Sequence, residues 1–255
     1  MEIAMLKTFL AATLAIGSVL GAFIGLEQSG STLTASGPLS DDPFLIELFT
    51  SQGCSSCPPA DRLAEQMAEE EGLVIISRPV DYWDRLGWKD TLASPENTAL
   101  QRAYALRGLG GYNGVYTPQT VVDGAFGEVG SDERRLRAQI RAARALARPA
   151  NLHVIKVEGE GYAVGVAGST TTPAQLILTG VATSRDIAIQ RGENRGRTVR
   201  HTNALIGQRI LTTWQGGKDS VAIEQERLSI PGADRYAVIL REPRGGRVLA
   251  ARWLE

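Results

Sequence analysis

Cys54 and Cys57 are the only cysteines in the chain, and the residues on either side of them fix what the backbone must do there. Ahead of them runs Phe44-Leu45-Ile46-Glu47-Leu48-Phe49, a short apolar stretch with one charge, which reads as a buried strand. Behind them stand Pro58-Pro59. Proline is tolerated in the first turn of a helix and disfavours helical geometry in the residue before it, so a helix begins within a residue or two of the pair. A strand, a tight turn carrying two thiols, and a helix form a unit whose disulfide closes and reopens without moving the backbone. The pattern points to redox chemistry.

The periodicity extends this unit on both sides. Pro59 to Glu70 predicts the helix, Leu73 to Val80 a second strand rich in β-branched residues, and Ser94 to Leu106 a helix with Ser94 as N-cap and Pro95 in its first turn. Gln119 to Val122 and Phe126 to Val129 flank the turn Asp123-Gly124, a strong hairpin signal. Asp132 to Ala147 closes the series as an arginine-rich amphipathic helix stopped at Pro149. Beyond it the texture changes to candidate strands at Leu152–Glu158, Tyr162–Ala167, Gln175–Thr183, Gln208–Trp214, Val221–Ser229, Arg235–Arg241 and Val248–Trp253, the pattern of a β-sandwich. The expectation is an α/β domain over residues 43–148 followed by an all-β sandwich-like domain over 151–255.

Residues 1–36 hold a charge-free run from Phe9 to Leu26 preceded by Lys7 and followed by small polar residues. This reads as a secretory leader, or as an N-terminal membrane anchor if it is retained, and either places the protein in an oxidising compartment, periplasmic or secreted. Lysine plus arginine (27) nearly balances aspartate plus glutamate (28), so no global field draws the chain to nucleic acid.

If the first two strands run parallel and the third antiparallel to them, Asp81-Tyr82-Trp83-Asp84 and Tyr116-Thr117-Pro118-Gln119 emerge at the edge that carries the cysteines. Cys54 is expected to be the more exposed sulfur and the nucleophile, and Cys57 to resolve the mixed disulfide. A helix N-terminus offers free N–H groups and a partial positive charge to the thiolate. Asp61 and Glu65 work against it, and the pair is not expected to be an extreme oxidant. Tyr82, Trp83 and Trp88 concentrate aromatic surface near that edge, either as core or as a shelf for a client polypeptide. Arg185, Arg191, Arg195, Arg197, Arg200 and His201 read as a solvated hairpin, or as an anion-binding or docking loop. Zinc needs about four ligands, and His153 and His201, the only histidines, both fall in the second half. Glu47 either points outward by alternation or lies inward, where burial would raise its pKa and let it relay protons to Cys57.

With Cys-x-x-Cys at the first strand-to-helix junction and Thr117-Pro118 opening the third strand, residues 43–148 resemble the thioredoxin superfamily. The strings Glu47–Asp61, Val80–Asp84, Leu86–Asp90, Tyr116–Gln119 and Glu193–His201 look like a family of secreted, thioredoxin-like bacterial proteins of unknown function, over nearly the whole chain past the leader. The resemblance implies a cis peptide at Pro118 facing the cysteines, an acidic proton relay at the position of Glu47, and no cofactor. It implies catalysis by Cys54, Cys57, Pro118 and Glu47, with Thr117, Trp83 and Tyr82 against a client. The resulting expectation is an exported thiol–disulfide oxidoreductase acting on protein thiols or disulfides; the sequence sets no oligomeric state. Its rivals are an adaptor with a passive disulfide and a redox metallochaperone. The enzymatic reading requires sulfurs that another protein's cysteines can reach, and a proline close to them.

Overall fold

The computed structural model describes residues 42–110 and 114–255; the expected leader or anchor lies outside the described residues. Among the described residues no helix is long and apolar enough to cross a membrane. The first strand, β1 (Phe44–Thr50), is buried along its whole length, as a strand covered on both faces must be. Its chain continues through the cysteine turn into α1 (Pro58–Met67) and β2 (Leu73–Pro79), parallel to β1 in the register Phe44↔Leu73 to Thr50↔Pro79. Next comes α2 (Pro95–Tyr104), where Ser94 Oγ accepts the Asn97 N–H at 3.2 Å as the N-cap pattern requires. The hairpin β3 (Gln119–Val122) and β4 (Phe126–Val129) turns through Asp123 (φ 47°) and Gly124 (φ 62°), and β3 lies antiparallel to β1. Helix α3 (Glu133–Arg144) ends the first half.

The second half does not form the separate sandwich expected from its strand pattern, and the first half is not a self-contained thioredoxin-like α/β unit. The molecule is mostly β. Strands β7 (Ala174–Ala188), β8 (Thr198–Trp214), β10 (Arg235–Arg241) and β11 (Val248–Trp253) join the first four in one mixed sheet of order β11-β10-β7-β8-β2-β1-β3-β4. Only β5 (Ala150–Val157), β6 (Gly161–Gly168) and β9 (Gly217–Glu224) form a sheet of their own. The join is narrow: β8 meets β2 in parallel at Ser77↔Ala204, and Ser77 Oγ donates to Thr202 O at 2.7 Å.

Side-chain alternation explains how one sheet buries both faces of β1. Phe44, Ile46 and Leu48 pack with Leu63 and Met67 of α1 and Leu136 and Ile140 of α3. On the opposite face Leu45, with Val74 and Ile76 of β2, packs against Ala237, Ile239, Ala251 and Trp253 from β10 and β11, so the far end of the sheet curls back over its own middle. Glu47 shares that second face. It is fully buried, and its carboxylate accepts from Arg78 Nε at 2.5 Å, from an Arg241 guanidinium N–H at 2.6 Å, and from the Tyr104 hydroxyl. Arg78 in turn donates to Asn97 Oδ1 at 3.2 Å.

Burial by itself pushes the Glu47 carboxyl up, as expected from the sequence, but the charges of Arg241 and Arg78 outweigh it and hold the pKa at about 2. A carboxylate so firmly ionised cannot relay protons near neutral pH, so that expected role is withdrawn: Glu47 is a structural tie. The folded state keeps Glu47 ionised from 4.5, its ordinary value, down to about 2, where the unfolded chain takes up a proton. This stabilisation is fully present above pH 4.5 and lost as pH falls towards 2. It amounts to about 3 kcal/mol. Denaturant titrations across this window should show the loss in the wild type and not in Glu47→Gln. At neutral pH that variant, with two buried guanidiniums left short of a counter-charge, should be less stable by about 3–5 kcal/mol.

Candidate functional site

The turn between β1 and α1 is tied down residue by residue. Gln52 N donates to Asp90 Oδ2 at 2.8 Å, Gly53 N to Ser51 Oγ at 3.1 Å, Cys54 N to Ser51 O at 3.1 Å and Cys57 N to Cys54 O at 3.2 Å. This brings the Cys54 and Cys57 Cα atoms to 5.4 Å, and the two sulfurs are joined as a disulfide. Cys57 is the N-cap of α1. Beside the pair, Ser56 Oγ lies 3.3 Å from Cys54 Sγ and 3.4 Å from Thr117 O, and the Thr117–Pro118 peptide is cis. Gly130 makes room for this approach: a Cβ there would lie 3.2 Å from Pro118 Cβ, 3.3 Å from Ala60 Cβ and 2.9 Å from Leu48 Cδ1. Cysteines and proline thus meet at one place.

Two expectations about the pair need correcting. Pro58 and Pro59 have no N–H, and the next two donors, Ala60 N and Asp61 N, both bond Cys57 O at 2.9 and 3.1 Å. Cys57 N is in turn bonded to Cys54 O, so of the four N–H positions that this helix start would leave open to an anion, Cys57 to Ala60, two are absent and two are used. The second correction concerns access: Cys54 and Cys57 are both 0 % exposed, so Cys54 is not the more open sulfur, and the reach that the enzymatic reading requires is absent with the turn closed as it is here.

Over the backbone of this turn lies the tip of the β7–β8 hairpin, residues 189–197. The tip closes on itself through Ile189 N to Arg197 O at 2.9 Å and Gly196 N to Ile189 O at 2.8 Å. Asn194, fully buried, donates from Nδ2 to Gln52 O at 3.0 Å and to Cys54 O at 2.8 Å, and its Oδ1 accepts from Arg197 at 3.2 Å. Glu193 accepts the Ser55 N–H at 3.2 Å, and hydrogen bonding from the Ser55 side chain and then its backbone lowers the Glu193 pKa. Gly192 rests near Trp88, whose indole N–H bonds Gln52 Oε1 at 2.9 Å. The arginine-rich stretch is therefore not simply solvated: its tip is a lid, while Arg200 pairs outside with Asp186 and Glu65, and Arg185 with Asp234.

The aromatic residues at this edge are partly sunk. Tyr82 and Trp83 pack against Phe49, Val80, Tyr104 and Val121, and Trp83 Nε1 donates to Thr117 Oγ1 at 2.9 Å. Burial raises the Tyr82 pKa.

His201 and Asp61, which nothing in the sequence joins, meet beside α1. His201 sits on β8 against α1, 0 % exposed, with Nδ1 3.5 Å from Asp61 Oδ1. Asp61 Oδ1 also accepts from Thr50 Oγ1 at 2.8 Å. Burial works against the charged imidazole, yet Asp61 and the charge of Asp90 hold the His201 pKa above its ordinary value. Burial raises the Asp90 pKa, against the backbone N–H groups of Gln52 and Leu92 that its carboxyl accepts. No sequence signal ties His201 to the cysteines, because the tie is made across the narrow β2–β8 join. Among the described residues no group of three or more His, Cys, Asp or Glu is placed to hold a metal ion.

A family model described as "Protein of unknown function (DUF1223)" matches residues 45–241. Among solved structures, a crystal structure of a protein from Agrobacterium tumefaciens is similar, at 27 % identity and a TM-score of 0.68, over 86 % of this chain and 96 % of that one. The protein named HBP35 of Porphyromonas gingivalis is similar in fold, at 14 % identity and a TM-score of 0.54, over 84 % of this chain and 75 % of that one. No curated protein matches.

Asn194→Ala removes two hydrogen bonds from the lid, each with a net value of about 1 kcal/mol. The rate at which dithiothreitol reduces Cys54–Cys57 should rise by roughly thirtyfold. A rate equal to the wild type's would show that reduction does not pass through lifting of the hairpin tip.

Proposed function

Because the chain belongs to the DUF1223 family, whose members are of unknown function, its activity must come from the site, and we propose thiol–disulfide exchange behind a removable lid. The observation that carries this reading is the disulfide itself, which links cysteines three residues apart at the mouth of α1, beside the Thr117 carbonyl. As a cross-link so short a loop contributes little: about 2 kcal/mol by chain entropy, against nearly 5 for a bridge spanning 100 residues. As a switch it is well placed, since it opens without unfolding its surroundings.

The exchange balances as follows. A thiolate of a client dithiol polypeptide attacks Cys54 Sγ, the Cys54–Cys57 bond breaks, and Cys57 leaves as a thiolate. The client's second thiolate then attacks the mixed disulfide, releasing an oxidised client and the reduced pair; the reverse sequence reduces a client disulfide. Tyr82, Trp83 and Thr117 line the approach. The apolar N-terminal run supports export, by a leader or an anchor, to a compartment where such clients occur.

One observation favours a second reading, a passive bridge in an exported scaffold or adaptor: both cysteines are fully covered. The size of the barrier decides between them. Asn194 supplies two of the hydrogen bonds that hold the tip, worth about 2 kcal/mol together, beside the Ser55–Glu193 bond and the contact of Gly192 with Trp88, so without those two the open form should be about thirtyfold more populated. Such a cover slows exchange without forbidding it.

Cys57→Ser, exposed to a periplasmic or secreted protein fraction, should accumulate mixed disulfides at Cys54 that the double variant Cys54→Ser/Cys57→Ser does not form. The wild-type disulfide should equilibrate with glutathione at a potential well below about −120 mV, that of the strongest periplasmic oxidant. A bond that resists glutathione in both the wild type and Asn194→Ala, with nothing trapped, would leave the passive scaffold.

A further inference from the structure

Exchange at this pair sets an electrostatic problem. When Cys57 leaves, a negative charge forms at a helix mouth whose first two residues are prolines and whose next two N–H groups are already bonded to Cys57 O. Two carboxyl groups flank the same turn. Asp61 stands one helical turn after Cys57, and helical side chains lean towards the N-terminus, so its carboxyl leans back towards the cysteine. Asp90 is fixed to Gln52, two residues before Cys54. Hydrogen bonds alone leave the leaving thiolate poorly met, and the nearby carboxyls oppose it.

The geometry points to His201 as a positioning residue for this reaction: seated on β8 against α1 and paired with Asp61, its imidazolium offsets the carboxyl charge beside the turn and stabilises the Cys57 thiolate. His201 is fully buried and its Nδ1 lies at ion-pair distance from Asp61, the contact that favours the charged ring against the cost of its burial. Its raised pKa agrees with that role. The other charged groups around it are engaged elsewhere: Arg185, opposite it in register on β7, with Asp234, and its neighbour Arg200 with Asp186 and Glu65 on the outer side. The inference rests on the exchange reading, and it extends that reading to how the site tunes its own leaving group.

Linkage supplies a direct test. If the His201 charge favours the Cys57 thiolate, the thiolate favours the charge on His201, and the two titrate as a coupled system. The chain has two histidines, so both imidazole Cε1–H resonances can be followed by NMR in the full-length protein as disulfide and after reduction by a phosphine. The His201 midpoint should be higher in the dithiol form, while exposed His153 serves as the reference that does not move. In His201→Gln, with cysteine Cβ carbon-labelled, the Cys57 thiolate midpoint should rise by about one unit, a roughly tenfold smaller thiolate fraction at pH 7. Coincident His201 midpoints in the two redox forms would overturn the proposal, as would an unmoved Cys57 midpoint in a folded His201→Gln. If that variant does not fold, the wild-type titration decides. Phosphine reduction needs no thiol exchange, so this result stands apart from any failure of the glutathione and trapping experiments.

Discussion

The Glu47 carboxylate, without access to water, gathers four segments of the chain at one point. Arg78 reaches it from β2, Tyr104 from the end of α2, and Arg241 from β10, 194 residues away in sequence. A guanidinium taken out of water is costly unless it is paired, and removal of one partner strands the others. Each of these side chains therefore requires the rest to be in register, and together they hold the far strands of the sheet over the face of β1 and β2. That clasp is why the second half of the chain folds onto the first instead of beside it. It also keeps the β7–β8 ribbon where its tip reaches the cysteines.

Local elements were legible because their signals are local. Two prolines after Cys57, serine ahead of Pro95, and Asp123-Gly124 between apolar pairs each dictate geometry within a few residues, and α1, α2 and the β3–β4 hairpin follow from them. The architecture was not legible for an equally physical reason. The large sheet is continuous through a join of one residue pair and one serine hydroxyl, which leaves no periodicity to read. The outer ends of β7 and β8 carry charges on their solvent side and so read as a polar hairpin. The resemblance of the first half to a self-contained fold then suggested a boundary where the backbone in fact continues into a shared sheet.

The candidate site divides along the same line. Cys54, Cys57, Thr117 and Pro118 were placed together by strand direction alone. For Glu47 the sequence leaves the inward and outward readings open, and the sign of its pKa shift depends on two arginines, one of them from the other end of the chain. His201 reads from the sequence only as a member of an arginine cluster, and Asn194 carries no signal of its own, because side-chain identity says nothing about which hairpin residue turns inward. In each miss the deciding partner comes from β8 or β10.

One ribbon therefore does two things to the dithiol, and the two are mechanically separable. Its tip, at Asn194, is pinned to the cysteine turn by hydrogen bonds to the Gln52 and Cys54 carbonyls that open solvent could replace. Its stem, at His201, is clamped in the sheet beside β7 and against α1. Lifting the tip breaks the bonds of Asn194 without moving the residues that pair His201 in the ribbon. A client that displaces the lid would thus meet a disulfide whose supporting charge is still in place. Access would be gated, while the chemistry beneath stays preorganised by the rigid part of the fold.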